Sequence, residues 1–219
     1  MTFSLAGRCA RTGAFGLSIS TSNISVGSRC VFARARVGAV LTQNRTDPRL
    51  GPRGLDLLES GCSAEETIAA LVASTPHIAW RQLAAIDAHG RTAAYSGAHI
   101  KSIRNEVHGR YCVSIGNMIA NPDVPVAMVR AFERDPAAHL GERLMGALEA
   151  GLAAGGETGE VRSAALLIVH EQRFPLVDLR VDAGDAPIAA LRALWTEYIP
   201  WLDEFVVRAV DPDRARGMT

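Results

Sequence analysis

Hydrophobic residues alternate with small or polar residues over positions 2–8 and again over 15–22, with turn-forming residues at 11–13 between them. A period of two residues is typical of a β-strand with one buried face, so these segments predict a hairpin at the start of the chain. The second strand carries Ser18, Ser20 and Ser22 in a row on one face. Such a row is either a packing surface that excludes bulk or the floor of a site.

Strand and helix patterns then follow in groups. Strand periodicity recurs at 30–43, 80–87, 91–96, 111–115, 163–169 and 174–182. Helical periodicity is found at 53–60, after a capping box at Ser63, after Asp123, after Pro136 and after Asp185, which is predicted to cap the last helix. Residues 23–28 and 99–108 are predicted to be loops. Asp87 and His89 are predicted to bond the backbone of a tight turn rather than to act as an acid and base pair.

Grouped strands and grouped helices argue against a doubly wound parallel sheet. Two antiparallel-rich sheets, stacked face to face and covered by helices, would bury every apolar face. We therefore expect an α+β fold arranged as a four-layer αββα sandwich. Residues 1–208 are predicted to form this one domain, and residues 209–219 a polar tail that frays.

Composition narrows the classes of function. The 23 basic residues equal the 23 acidic ones, so no net charge favours nucleic acid or an anionic membrane as a partner. The longest strongly apolar run, 164–169, is too short to cross a bilayer, and the N-terminus lacks the pattern of a signal peptide. The four cysteines are scattered, which predicts reduced thiols and a cytoplasmic protein. Dispersed histidines and absent nucleotide-binding motifs predict neither a metal nor another cofactor.

The start of the first strand carries the candidate chemistry. If Met1 is removed, Thr2 has both a hydroxyl group and a free α-amine. An α-amine with a pKa of about 8 can accept the hydroxyl proton, so one residue would serve as nucleophile and base. The alternative is that Thr2 is only a β-branched residue at the start of a strand.

Several short motifs, taken in order along the chain, resemble the bacterial and archaeal family catalogued as domain of unknown function 1028. They include Thr2-Phe3-Ser4, Val26-Gly27, Gly38-Ala39-Val40, Gly51-Pro52-Arg53-Gly54-Leu55, Gly116-Asn117-Met118, Gly155-Gly156-Glu157 and Ser163-Ala164-Ala165-Leu166. The resemblance implies a fold similar to the N-terminal-nucleophile hydrolases, which cleave amide bonds with an N-terminal Thr, Ser or Cys. This chain departs from many relatives at Arg162, and it has no evident counterpart of the lysine that assists the proteasome threonine.

We therefore predict an amidohydrolase that cleaves a small amide or peptide-like C–N bond, with Thr2 as nucleophile. Candidate oxyanion donors are the Asn117 amide and a backbone N–H near Gly27 or Ser28. Candidates for orienting the amine are Ser20 and Ser22, and candidates for binding a substrate carboxylate or amide are Arg36 and Gln43.

Other interpretations stay open at the level of sequence. A non-catalytic module could use the same cleft to hold a small metabolite or a partner protein. A thiol enzyme would use Cys9 or Cys30. Near the C-terminus, Trp195, Trp201 and Phe205 are candidates either for the core or for the contact of a homodimer.

Overall fold

Two antiparallel sheets form the centre of the protein in a computed structural model, which describes residues 1–216. The strands are β1 (Thr2–Arg8), β2 (Phe15–Thr21), β3 (Val31–Arg34), β4 (Gly38–Asn44), β5 (Arg81–Asp87), β6 (Thr92–Ser96), β7 (Arg104–Gly109), β8 (Cys112–Asn117), β9 (Ser163–Val169) and β10 (Val177–Val181). One sheet has the strand order β10-β9-β2-β1-β8-β7, and the other has the order β3-β4-β5-β6.

Helices connect and cover the strands. They are α1 (Gly27–Cys30), α2 (Leu50–Glu59), α3 (Ala64–Ser74), α4 (Asp123–Glu133), α5 (Leu140–Ala153), α6 (Pro187–Tyr198) and α7 (Leu202–Val210). Short 3₁₀ turns lie at Ile78–Trp80, Ile199–Trp201 and Pro212–Arg214. Within the described residues, no helix combines the length and the apolar character needed to cross a membrane.

Three clusters of buried apolar side chains hold the elements together. The first includes Phe3 of β1 and Trp195 of α6 and lies where α4, α5 and α6 meet the six-stranded sheet. The second draws on both sheets and includes Ala6 and Leu41. The third includes Leu71 and joins the four-stranded sheet to α2 and α3. Because successive side chains of a strand point to opposite faces, β1 packs on helices with one face and on the other sheet with its second face.

The α+β class and the two antiparallel sheets predicted from sequence are confirmed. The predicted hairpin is β1 paired with β2, with Phe3 opposite Ser20. The capping box at Ser63 is present, since its side chain accepts a hydrogen bond from Glu66 N. The turn at Asp87 also forms as predicted, because its carboxylate accepts hydrogen bonds from the backbone N–H groups of His89 and Arg91.

Several local predictions were wrong. Residues 99–108 were predicted to be a loop, yet they contain most of β7, an edge strand whose polar side chains hide its period. The loop predicted at 23–28 gives way to α1 at Gly27, and the N-cap of α6 is Ala186 rather than Asp185. The expected start of the polar tail falls inside α7. Of that predicted tail, residues 217–219 lie outside the described part of the chain.

Candidate functional site

Thr2 lies at the first position of β1, between the strands β2 and β8. Asn117 of β8 is its cross-strand neighbour. On the other side, the hydroxyl of Thr21 lies 3.3 Å from the Thr2 hydroxyl. Both hydroxyl groups donate to the carbonyl oxygen of Met1. The Thr2 side chain, although only 5% exposed, therefore lies beside the peptide group that joins it to Met1.

The side chain of Thr2 belongs to the face of β1 that looks toward the other sheet. Two positions along, the Ser4 hydroxyl donates to Gln43 Oε1 of β4 at 2.8 Å. Ala6, a further two positions along, packs in the cluster shared by the two sheets. Because the strand alternates with a period of two, Thr2 occupies the edge of this shared layer.

A buried network of amide side chains links Thr2's neighbours across the two sheets. Gln82 Oε1 accepts a hydrogen bond from Gln43 Nε2 at 2.7 Å and another from Asn117 Nδ2 at 2.9 Å. The three amide side chains are fully buried, and Asn117 Oδ1 has no hydrogen-bond partner. One of the two N–H donors of the Asn117 amide thus binds Gln82, and the acceptor atom of this amide has no partner.

Glu157 adds a second buried acceptor at this edge. Its Oε2 accepts a hydrogen bond from the Ser22 backbone N–H at 3.0 Å, whereas its Oε1 has no partner. Burial raises the pKa of Glu157 to about 7, against the opposing influence of the positive charge on the Met1 amine and of hydrogen bonds from Ser22. The Met1 side chain also lies close to this segment, with its sulfur 3.3 Å from Thr158 Oγ1.

Sequence reasoning missed Thr21 and Glu157. The serine row on β2 drew attention to Ser20, but Ser20 pairs with Phe3 and its hydroxyl donates to the Ser163 carbonyl, so it does not reach Thr2. The period of two gives Thr21, not Ser20, the face of Thr2. Glu157 was visible only as the last residue of a short Gly155-Gly156-Glu157 motif, with no local sign of a partner.

The other predicted site residues divide into two groups by position. Ser22 lies near the Thr2 edge, where its backbone N–H binds Glu157. Gln43 also lies near this edge, where its side chain binds Ser4. Arg36 lies at the other end, because it lines a cavity with Arg8 and Phe15, which form the last pair of the β1–β2 hairpin. The structure therefore does not bring Arg36 to Thr2.

Gly27 and Ser28 begin the short helix α1. The preceding residue, Val26, donates its backbone N–H to the hydroxyl of Ser163, which is the cross-strand neighbour of Thr21. A Cβ atom on Gly27 would come within 2.7 Å of both Ala165 Cβ and Arg180 Cδ. Close packing of α1 on the six-stranded sheet thus requires glycine here, whatever else this position does.

The cysteine thiols and the metal-ligating side chains are weaker candidates for a functional site than Thr2. Burial raises the pKa of the Cys30 thiol, although Thr46 and the charges of Arg29 and the Met1 amine oppose this. Burial also acts to raise the pKa of Cys9, but hydrogen bonds from Thr12 and the nearby backbone outweigh it and lower that pKa. Cys9 is 2% exposed and follows the far end of β1. Within residues 1–216, no three His, Cys, Asp or Glu side chains gather as a metal site would require.

Comparisons with known proteins place the chain in a family. The model of the family described as "Family of unknown function (DUF1028)" matches residues 2–191. The crystal structure of a DUF1028 protein from Silicibacter pomeroyi is 31% identical, covers 90% of this chain and 85% of its own, and superposes with a TM-score of 0.84. Anbu (ancestral beta-subunit) from Yersinia bercovieri is 12% identical over 99% of both chains, with a TM-score of 0.39 that supports no argument. No curated protein matches the chain. The family match and the Silicibacter structure show that the chain belongs to the family of unknown function DUF1028.

Proposed function

We propose that the protein is an N-terminal-nucleophile amidohydrolase in which Thr2, once Met1 is removed, attacks a small amide or peptide-like C–N bond. The observation that carries this proposal is the position of the Thr2 hydroxyl. It lies at the edge of the layer between the sheets, next to the Thr21 hydroxyl and to the cross-strand neighbour Asn117, whose Oδ1 has no partner. Glu157, whose Oε1 also has no partner, binds the backbone of Ser22, the residue after Thr21.

The layer order of the fold is part of the same proposal. We assign the protein to the four-layer αββα arrangement of N-terminal-nucleophile hydrolases. The three apolar clusters support this order, because one packs helices on the six-stranded sheet, one draws on both sheets, and one packs helices on the four-stranded sheet.

The surrounding groups suit a mechanism in which the α-amine is the base. Removal of Met1 would leave the amine of Thr2 at the edge where its cross-strand neighbour Asn117 and the nearby Glu157 each have one oxygen, Asn117 Oδ1 and Glu157 Oε1, without a hydrogen-bond donor. These acceptors would orient the amine so that its lone pair takes the proton of the Thr2 hydroxyl. The hydroxyl oxygen then attacks the substrate carbonyl, the amine leaving group departs with a proton, and water hydrolyses the resulting ester.

In this proposal Asn117 is an acceptor for the amine rather than an oxyanion donor, because its Oδ1 has no partner whereas its Nδ2 already donates to Gln82. A backbone N–H near Gly27 or Ser28 remains the proposed oxyanion donor, with a contribution of about 3 kcal/mol to the barrier. Thr21 replaces Ser20 as the hydroxyl partner of the nucleophile.

Intact mass and variants at residue 2 test the function. We expect mass spectrometry of protein with a free N-terminus to show loss of Met1, and a panel of small amides to include at least one that is hydrolysed. Thr2→Ala should abolish this activity, whereas Thr2→Ser should keep part of it because serine retains a hydroxyl group. A chain that carries an N-terminal extension should be inactive. Full hydrolysis by Thr2→Ala, or by a chain that retains Met1, would refute the proposal.

Two alternatives predict different results. A binding module on the same fold predicts thermal stabilisation by a ligand with no turnover of it. A thiol enzyme predicts loss of hydrolysis on treatment with iodoacetamide, but the two candidate thiols, Cys9 and Cys30, are buried.

We also propose a cytoplasmic location and a homodimer. The four cysteines are free, as in a reducing compartment. Trp195 is fully buried and so belongs to the core, whereas Trp201 and Phe205 are 47% and 38% exposed one helical turn apart. Sedimentation equilibrium would test the dimer, and a monomer at all concentrations would exclude it.

A further inference from the structure

We infer that a cavity at the Thr2 end of the sheets binds a carboxylate group of the substrate, so that the amide cleaved is an anionic one. This inference rests on the proposed function and names its substrate class. The cavity has a volume of about 580 Å³. Its lining includes the arginines Arg29, Arg45 and Arg81, together with His77, Thr46 and Asn44.

No acidic side chain forms a direct ion pair with the arginines of this cavity in the part of the chain that the structure describes, although ten other ion pairs are present there. The lining contains no Asp or Glu. Asp47 follows the lining residue Thr46, but its two carboxylate oxygens bind Arg49 at 2.9 and 2.7 Å, and Arg81 acts on its pKa only through its charge. Three neighbouring cations repel one another, and a bound anion would remove that cost.

The arginines are held in place by contacts that leave donors available. Arg29 donates to the carbonyl oxygen of Ile24 at 2.6 Å and to that of Ser25 at 3.3 Å. The guanidinium of Arg45 lies 4.5 Å from the ring centroid of Trp80, a cation–π contact that leaves its N–H edge free of that ring. Fixed guanidinium groups lose little entropy when they bind a planar anion.

Arg81 supplies the most direct sign of a missing partner. Its Nη1 donates to the carbonyl oxygen of Arg45, whereas its Nε atom is buried and has no hydrogen-bond partner. The guanidinium of Arg81 is therefore not saturated by the protein, and a carboxylate in the cavity would supply an acceptor for it.

Cys30 relates the cavity to the start of the chain. Against the effect of burial, a hydrogen bond with Thr46 and the charges of Arg29 and the Met1 amine all act to lower the pKa of the Cys30 thiol. The cavity residue Arg29 and the first amine of the chain therefore both lie within electrostatic range of this one thiol. In addition, Arg81 pairs with Asn44, and the next pair along these strands is Gln82 with Gln43, whose network reaches Asn117.

Binding to a catalytically silent chain tests the inference independently of hydrolysis. We would titrate full-length Thr2→Ala protein with succinate, and with succinamide as its uncharged counterpart, by isothermal calorimetry. We expect succinate to bind and succinamide to bind at least tenfold more weakly. Added on the same background, Arg81→Gln and Arg45→Gln should each weaken succinate binding at least tenfold. Arg130→Gln, which changes an exposed arginine on α4, is the matched control and should leave binding unchanged.

The outcomes separate this inference from the proposed function. Equal binding of succinate by Arg81→Gln, Arg45→Gln and Arg130→Gln, equal binding of succinamide, or no binding of succinate would overturn the anion site. Hydrolysis of neutral amides alone would also overturn it while leaving the function intact. Arginine-dependent succinate binding, combined with no hydrolysis of any amide by the Met1-free chain, would keep the site and remove the enzyme. Circular dichroism of each variant checks that it folds.

Discussion

Glu157 holds a carboxyl group in a buried place where only one of its two oxygens meets a donor. A carboxylate loses solvation there, and one backbone N–H does not replace it. The group therefore keeps its proton to a higher pH in the folded protein, and its pKa rises to about 7. Such a carboxyl group costs stability whenever the unfolded chain can ionise and the folded chain cannot.

The variant Glu157→Gln should reveal this cost as a dependence of stability on pH. Below a pH of about 4.5 the carboxyl group is protonated in both states and contributes no difference. Between that pH and about 7 the unfolded chain loses the proton while the folded chain keeps it, so the wild-type free energy of unfolding falls as pH rises. The slope approaches about 1.4 kcal/mol per pH unit, and above pH 7 the cost is constant.

Urea unfolding of both proteins from pH 4 to pH 8, each in the form that retains Met1 because the Met1 amine influences this pKa, measures the difference. We expect Glu157→Gln to gain stability relative to the wild type across the interval from about 4.5 to 7 and then to keep that gain. Glu160→Gln removes an exposed carboxyl group from the same segment and is the control for the loss of a charge. A wild-type protein that instead gains stability relative to Glu157→Gln over this interval would contradict the prediction.

At the scale of residues, the sequence could suggest Thr2 because its chemistry depends on one position and on a strand that begins there. It could not suggest Glu157, because Glu157 binds Ser22, a residue distant in sequence, through one oxygen and leaves its other oxygen without a partner. Arg36 shows the opposite error. Its side chain suits a carboxylate, but the β3–β4 turn places it beside Arg8, at the far end of β1.

The helix α5 shows how its glycines serve different purposes within one element. A Cβ atom on Gly141 would come within 2.5 Å of the fully buried Trp195 ring, whereas a Cβ atom on Gly146 would meet no atom within 4 Å. The first glycine lets α5 approach α6 closely. Gly146 has no close packing contact of this kind, and it only adds conformational entropy to the unfolded chain.

Alanine at these two positions should therefore have opposite effects. Gly141→Ala should destabilise the protein by about 1–3 kcal/mol, because the Trp195 ring has no room to move. Gly146→Ala should stabilise it by about 0.5–1 kcal/mol, since alanine favours the helix interior. Thermal and urea unfolding measure both, and each variant is the control for the other. Similar effects of the two substitutions would show that the packing on Trp195 does not matter.

At the scale of elements, prediction succeeded where an element is buried and failed where little of it is buried. The strands β1 and β2 have strong periodic patterns because they lie inside the six-stranded sheet. β7 forms an edge, and its residues are exposed or half-buried, so its sequence Arg104–Gly109 has no apolar period to detect. α7 buries only Leu202 and Glu204, which explains why its residues resemble the start of a polar tail.

At the scale of the whole molecule, the two sheets are joined by polar side chains as well as by apolar ones. Gln43 and Gln82 of the four-stranded sheet bond to Ser4 and Asn117 of the six-stranded sheet. Gln82 also donates to the Gly116 carbonyl oxygen at 3.0 Å. These contacts lie one residue inside the Thr2 edge and fix the relative position of the strands that carry the candidate site.

A double-mutant cycle at Gln43 and Gln82 tests whether this network acts as a unit. Gln82→Leu leaves the amide group of Asn117 without an acceptor and deprives Gln43 Nε2 of its shortest bond. Each buried group left without a partner costs about 1–3 kcal/mol, so we expect a large loss in the free energy of unfolding. Gln43→Leu should also destabilise the protein, because it frees the Ser4 hydroxyl and one side of Gln82.

The double variant should be less unstable than the sum of the two single variants, since the hydrogen bond between Gln43 and Gln82 is lost once in the double variant but is counted in both single variants. Urea unfolding gives the three differences in the free energy of unfolding, and additivity within about 0.5 kcal/mol would show that the two glutamines act independently.

In the proposed enzyme, the Gln82→Leu variant also has a kinetic readout. Asn117, released from Gln82, could turn its amide and present a donor to the Thr2 amine, so Gln82→Leu should lower kcat even under conditions where the protein remains folded. A folded Gln82→Leu protein with unchanged kcat would separate the network's role in joining the sheets from any role in positioning Asn117.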